Sequence, residues 1–444
     1  MDTIKTFDMN KIINAIDKVH TCRIKGIISQ VIGLTIEATG PRLSLGELCY
    51  IQTNSADREL VPAEVVGFKN NRILLMPLGE LEGIGPGSEL IATGTSLRVK
   101  VGMELRGRVL NGLGEPIDDL GRIDSELYYP VMNKPPGPLQ RKRIENSLPV
   151  GIRAIDGLTT IGCGQRMGFF AGSGVGKSTL IGMIARNTEA DINVIAMVGE
   201  RGREVRDFLE RDLGELGLKR SVVVVATSDQ PALVRSKGAF VATSIAEYFR
   251  DQGLNVLLLM DSLTRFALAQ REIGLAIGEP PTTRGYTPSV FAQLPKLLER
   301  AGTSDSGSIT GLYAVLVEGD DLNEPITDAV RGIVDGHIVL SRKLAAKNIF
   351  PAIDVGESIS RLMIEIALPE HIQDANKFRN ILATYEEAKD LIDIGAYKMG
   401  TNPRIDEAIN LFDKCQYFLK QGIYEDSVYE DTISLLKETV NNKE

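Results

Sequence analysis

A chain of 444 residues that is 43% hydrophobic and 25% charged can bury more than one sizeable core, which excludes a disordered polymer and a small disulfide-stapled scaffold. Its 50 Lys and Arg against 59 Asp and Glu leave a net charge of −9, which argues against holding nucleic acid by bulk charge, since that mode needs clustered cations. Four scattered cysteines, Cys22, Cys49, Cys163 and Cys415, and three histidines give no zinc-type spacing and read as reduced thiols and ordinary polar groups of a cytosolic protein.

In chain order, Asp2 and Asp8 stand where a signal peptide carries basic groups, and no run approaches the ~18 apolar residues of a membrane span, so neither export nor integral membrane insertion is expected. Met9, Ile12, Ile13, Ile16 and Val19 recur at helical spacing and predict an N-terminal amphipathic helix within residues 1–21, a candidate for binding a partner. From 22 to 95 short apolar runs alternate with turn signals such as Asn70-Asn71 and Gly85-Pro86-Gly87, the texture of a small β-barrel. A Pro-rich connector follows at 130–148, with Arg141-Lys142-Arg143 read as a solvated triplet.

Between 167 and 341 continuous apolar runs (Met167–Ala171, Asn193–Val198, Ser221–Ala226, Asn255–Met260, Ile309–Val317, His337–Leu340) alternate with helical patterns, as buried parallel strands do in an α/β domain. Past 366 the period is helical and predicts at least three amphipathic helices. The fold class is therefore an α/β core with a parallel sheet at 96–365, preceded by a β-barrel at 22–95 and followed by a helical bundle at 366–444.

The segment Ala171-Gly172-Ser173-Gly174-Val175-Gly176-Lys177-Ser178-Thr179 lies between a strand and a helix and is a phosphate-binding loop. Glycines let backbone N–H groups turn in around phosphates, and the helix start adds its positive end. Lys177 is suited to the β- and γ-phosphates of ATP, and the Ser178 hydroxyl to Mg²⁺. Asp261, ending the strand before it, is a second candidate for the Mg²⁺ shell. Hydrolysis further needs a group that orients water, and Glu200, in Gly199-Glu200-Arg201-Gly202-Arg203-Glu204 after another strand, is the candidate base.

Together with Asp261-Ser262-Leu263-Thr264-Arg265 and Pro351-Ala352-Ile353-Asp354-Val355-Gly356-Glu357-Ser358-Ile359-Ser360-Arg361, these segments resemble the catalytic subunits of rotary ATP synthases, the alpha/beta subunit family with its RecA-like P-loop core. Within it, Val205-Arg206-Asp207-Phe208, Asp229-Gln230-Pro231-Ala232-Leu233, Gly278 to Tyr286 and Val317-Glu318-Gly319-Asp320-Asp321 resemble the ATPases of type III protein export, above all the flagellum-specific ones. The resemblance implies an ATP-hydrolysing homohexamer. In it Glu200 activates water, Arg201 and Arg265 sit at the phosphates, Arg361 is an arginine finger for the neighbouring subunit's nucleotide, and Phe350 stacks on adenine. It also implies a regulatory stator-like protein on the N-terminal helix, a central coiled-coil stalk, export-gate membrane proteins and cargo-chaperone complexes as partners. Its place would be the cytoplasm, peripheral to the inner face of the membrane.

Four other readings compete with flagellar export. A virulence secretion (injectisome) ATPase shares the same site. A rotary synthase or vacuolar-type subunit divides base and finger between different chains, whereas here Glu200 and Arg361 share one. A hexameric RNA translocase needs exposed aromatics on its barrel, and residues 22–95 hold only Tyr50 and Phe68. A nucleotide-binding ring subunit that does not hydrolyse ATP would lack the base. The loop Gly278–Tyr286 is a candidate to line a central pore.

Overall fold

The computed structural model describes Met9 and residues 25–441, except Ala56, Glu318 and Asp320. Apart from Met9, the N-terminal amphipathic helix lies outside the described residues, as does Cys22. The chain divides into two compact units, Met1–Leu97 and Arg98–Glu444.

The first unit is a closed antiparallel barrel of β1 (Lys25–Ile32), β2 (Thr35–Thr39), β3 (Glu47–Gln52), β4 (Leu60–Lys69), β5 (Arg72–Pro77) and β6 (Glu89–Ser96), in the order β1-β2-β5-β4-β3-β6. Strand alternation turns Ile28, Ile36, Ile51, Val65, Leu75 and Leu90 into its core. Asn70 and Asn71 take φ of 49° and 62° in the two-residue link between β4 and β5, the left-handed pair that a tight hairpin favours.

The second unit opens with β7 (Arg98–Val101), β8 (Val109–Asn111) and β9 (Leu127–Pro130), of which β7 and β9 pair with each other. Its main sheet adds β10 (Arg166–Ala171), β11 (Ile192–Val198), β12 (Ser221–Ala226), β13 (Asn255–Asp261), β14 (Gly302–Thr303), β15 (Ser308–Leu316), β16 (Gly336–Leu340) and β17 (Ile353–Ser360). The order is β17-β16-β10-β15-β13-β11-β12-β8, with β14 beside β15. All pairs are parallel except those made by β14 and β17. The Val- and Leu-rich runs of β11, β12 and β13 are buried on both faces because helices cover the sheet. These helices are α1 (Lys177–Asn187), α2 (Gly202–Asp207), α3 (Ala232–Asp251), α4 (Leu263–Ala276), α5 (Pro288–Leu298) and α6 (Pro325–Ile333).

α7 (Pro369–Asp393), α8 (Pro403–Leu419) and α9 (Tyr429–Val440) form the C-terminal segment. They do not build a separate core. Phe378, Leu411, Phe418 and Leu436 belong to the same buried cluster as Ile155, Met167 and Ile181 of the α/β layer. At Gly157 the two approach closely: a Cβ there would stand 2.8 Å from the Phe418 ring. Of the triplet read as solvated, Lys142 and Arg143 are exposed, Lys142 donating to the Asp305 carbonyl and Arg143 pairing with Glu365 at 3.0 Å, whereas Arg141 is part-buried and donates to the carbonyls of Glu299 and Ala301. The Arg141 guanidinium thus satisfies part-buried carbonyls just past the end of α5.

Candidate active site

β10 ends at Ala171, and the loop that follows turns through Gly174 (φ 78°) and Gly176 (φ 86°) before α1 begins at Lys177. Only glycine enters that left-handed region without steric cost, which explains the Gly-x-Gly spacing. The loop lies at the carboxyl ends of parallel strands, where open α/β sheets bind ligands. Gly172, Ser173, Gly174, Gly176, Lys177, Ser178 and Thr179 line a cleft of 760 Å³, which Glu200, Arg201, Glu204, Thr264 and Arg265 also face. The Val175 side chain is buried, so it can contribute only its N–H.

The Lys177 ammonium pairs with the Asp261 carboxylate, both side chains being almost wholly buried. Glu200 is 7% exposed and follows Gly199, whose φ is 71°. A Cβ at Gly199 would lie 2.9 Å from the Arg265 side chain, so this glycine makes room for Arg265 beside Glu200. The Arg265 Nε is 3.1 Å from Glu200 Oε1 yet makes no aligned hydrogen bond there. Burial first, and then the Asp261 charge and a hydrogen bond to Glu204, push the Glu200 carboxyl up to about 7 against the pull of Lys177 and Arg265. Its partner Glu204 is held below the ordinary carboxylate range by that same hydrogen bond, so the pair's proton resides on Glu200. Arg201, its side chain 76% exposed, stands 3.8 Å from Glu204.

Asp261 and Ser178 form an all-oxygen donor set, and the described residues hold no cluster of three or more His, Cys, Asp or Glu able to bind a metal by themselves. That set fits Mg²⁺, which takes one or two protein oxygens and completes its shell with water and phosphate. Phe350 lies against the loop: a Cβ at Gly176 would be 3.7 Å from its ring, which is 41% exposed and has a face left for stacking.

Arg361 is not in this cleft. Its N–H donates to the Asp335 carbonyl, and the Asp335 N–H donates to that of Arg166, so Arg361 stands level with the start of β10. It is two strands across, about 10 Å, and five strand residues, about 17 Å, from Ala171. An arginine side chain cannot span that distance to its own phosphate loop. Glu204 is the residue of the site that sequence reasoning passed over, although its position four after Glu200 at a helix start was a usable signal. Within the loop 278–286 Thr282 donates to the Tyr286 carbonyl, and at the surface Arg284 pairs with Asp321 at 3.0 Å.

The profile of the ATP synthase alpha/beta family, nucleotide-binding domain, matches residues 151–360, and that family's beta-barrel domain matches 28–94. The T3SS EscN ATPase C-terminal domain matches 367–438. A flagellum-specific ATP synthase of Bacillus subtilis (strain 168) is 56% identical over 98% of this chain and 99% of its own. A type 3 secretion system ATPase of Xanthomonas euvesicatoria is 53% identical over 93% of each. The assembled ATPase EscN of the enteropathogenic E. coli type III secretion system superposes with a TM-score of 0.87 at 46% identity, over 94% of this chain and 100% of that one. The same enzyme in complex with its central stalk EscO gives the same figures. Among the described residues no helix is long and apolar enough to cross a membrane.

Proposed function

The chain belongs to the ATP synthase alpha/beta family, among its flagellum-specific ATP synthases and type 3 secretion system ATPases, and from that premise we propose a role in flagellar protein export. The protein is an ATPase. As a ring subunit it uses ATP hydrolysis to engage, unfold and export flagellar proteins and to release their chaperones. The observation that carries hydrolysis, rather than nucleotide holding, is Glu200: a buried carboxylate that faces the phosphate cleft beside Arg265 and near the Lys177–Asp261 pair.

In this mechanism the loop N–H groups and Lys177 hold the β- and γ-phosphates, and Phe350 stacks on the base. Ser178 and Asp261 hold Mg²⁺, which neutralises phosphate charge when bound. Ionised Glu200 orients water and accepts its proton. Arg201 and Arg265 lie where they offset charge on the phosphates. Arg361 serves the neighbouring subunit, which makes the working unit a closed head-to-tail ring, a homohexamer. The stalk-bound EscN structure supports a central stalk partner for this ring, which we take to be a coiled coil. A stator-like protein, export-gate proteins and cargo-chaperone complexes complete the assembly at the cytoplasmic face of the membrane. A virulence secretion role is the second reading, favoured by the relative from Xanthomonas euvesicatoria.

The test is Mg²⁺-dependent ATP hydrolysis across protein concentrations. Specific activity should rise as rings form and vanish in Glu200→Gln; full specific activity in a dilute, demonstrably monomeric sample overturns the shared-site ring. Restoration of filament growth, rather than of effector secretion, in a strain lacking the gene separates the two export readings.

A further inference from the structure

We propose that Gln165 is a positioning residue for the arginine finger: its side-chain amide ties the end of β17 to the start of β10, through the Asp335 carbonyl and the Ser360 hydroxyl, and so sets where the Arg361 guanidinium meets the neighbouring subunit's nucleotide. The inference rests on Arg361 serving the next chain's site.

Arg361 directly follows β17, and its side chain is exposed. Its direction is therefore set by the backbone at the strand's end. The register of β17 against β16 shifts between His337 and Val339, leaving the Gly336–Ser360 and His337–Ile359 pairs beyond the bulge. A bulge bends its strand, so the ladder before it does not fix the segment after it. Gln165, wholly buried and one residue before β10, supplies a cross-tie at that point. Its Nε2 donates to the Asp335 carbonyl at 3.2 Å and to the Ser360 hydroxyl at 3.1 Å, reaching past β16 to β17. The same Asp335 carbonyl accepts the Arg361 N–H at 3.1 Å, so the amide and the finger's own backbone meet at one oxygen. The Gln165 Oε1 accepts the Gly162 N–H at 2.8 Å, which gives the amide a single orientation with its nitrogen toward β17. Asp335 is fixed in turn, its carboxylate accepting from the Arg166 N–H, Nε and a terminal nitrogen, each at 3.1 Å. Gly336 shows how tightly the three strands close here: a Cβ would meet the Ile359 carbonyl oxygen at 2.6 Å and the Met167 Sδ at 2.7 Å. A methionine at 165 would fill nearly the same space, but only an amide makes directed bonds that specify position.

The test measures kcat and KM for ATP on assembled rings, pure and mixed. Gln165→Met keeps the volume and removes the bonds. It should lower kcat about tenfold through misplacement of the finger, with KM within about twofold because each chain's own phosphate loop is intact. Mixing locates the fault. A Gln165→Met chain keeps a sound base and needs only a sound finger from its neighbour, which Glu200→Gln supplies. An equal mixture of the two should therefore show roughly a quarter of parental activity, about five times that of an equal mixture of Gln165→Met with Arg361→Ala. A substitution that had merely damaged its own chain's fold or phosphate loop would reverse that order. Unchanged kcat in Gln165→Met, a loss confined to KM, or an Arg361→Ala mixture as active as the Glu200→Gln mixture or more so each overturns the proposal. Should Gln165→Met fail to assemble, Ser360→Ala, which removes one of the two acceptors of Nε2, carries the test by the same comparison, and unchanged kcat there overturns the proposal. Glu200→Gln mixed with Arg361→Ala is run in parallel: no recovery there overturns the finger and this inference with it, whereas recovery there beside an unaffected Gln165→Met overturns this inference alone.

Discussion

Lys177 and Arg361 of one chain stand at opposite ends of the same sheet, the first just beyond the carboxyl end of β10 and the second level with its start. Arg361 and the phosphate loop of a single chain therefore cannot serve one nucleotide, and any site that uses both is made of two chains. Glu200→Gln and Arg361→Ala, each inactive alone, should complement one another when co-assembled. Random mixing in equal amounts joins an intact base to an intact finger at about one interface in four, so roughly a quarter of the parental activity should return. Mixed rings with no recovered turnover would remove Arg361 from the site.

As the proposed base, Glu200 should give the enzyme a pH dependence with a definite sign. Its carboxyl is raised to about 7, chiefly by burial and then by Asp261, and a base works only when ionised. The kcat/KM for ATP, which reports the free enzyme, should therefore fall as pH drops through about 7, rather than near 4 as for an exposed glutamate. Glu204→Gln removes the ionised partner that accepts a hydrogen bond from protonated Glu200, and the acid limb should move to lower pH. A profile flat from pH 8 to 5 would show that Glu200 is already ionised in the free enzyme.

These two residues also mark what the sequence alone makes legible. Glu200 is readable because strand, glycine and acid come in sequence order, and because Val-rich runs of six or seven residues announce buried parallel strands. β17 is harder. Its residues 355–358 bulge away from β16, with Ser358 Oγ taking the Val339 N–H in place of a ladder carbonyl, and the bulge breaks any period-2 pattern. β8 has only three residues and joins the sheet by tertiary pairing with β12. The close approach of Asp212 to Gly182 depends on how α2 winds into the π-type turn at Phe208–Leu213, and no local propensity signals that winding.

Phe350 should contribute binding rather than chemistry. Its ring lies over Gly176 and is partly exposed, so the base can occupy only one face. Aromatic-to-base stacking is worth about 1–3 kcal/mol, and for a half-exposed ring the lower figure applies. Phe350→Ala should therefore raise KM for ATP roughly fivefold with kcat nearly unchanged, while Phe350→Tyr should match the parent because stacking needs only the ring face. A fall in kcat with unaltered KM would move Phe350 from the base to the packing of the loop.

The connector between β8 and β9 depends on one ion pair. Arg108 donates to Asp118 through Nε at 2.7 Å and through a terminal nitrogen at 2.8 Å, while the N–H groups of Val109 and Leu120 reach the same carboxylate. Burial alone would raise the Asp118 carboxyl, but the Arg108 bond and these N–H groups outweigh it and hold it at about 2. A depressed carboxylate stabilises the fold above its unfolded value near 4, and that stability disappears as pH falls toward 2. Taken from 3.8 to about 2, the shift corresponds to roughly 2.5 kcal/mol at neutral pH. Asp118→Asn should therefore lower the urea midpoint at pH 7 by an amount of that order, and more if Arg108 is left buried and unpaired. The gap between parent and variant should hold from pH 8 to about 4 and narrow only below that. A gap already closing at pH 6 would mean that the Asp118 carboxylate is not held by Arg108 in solution.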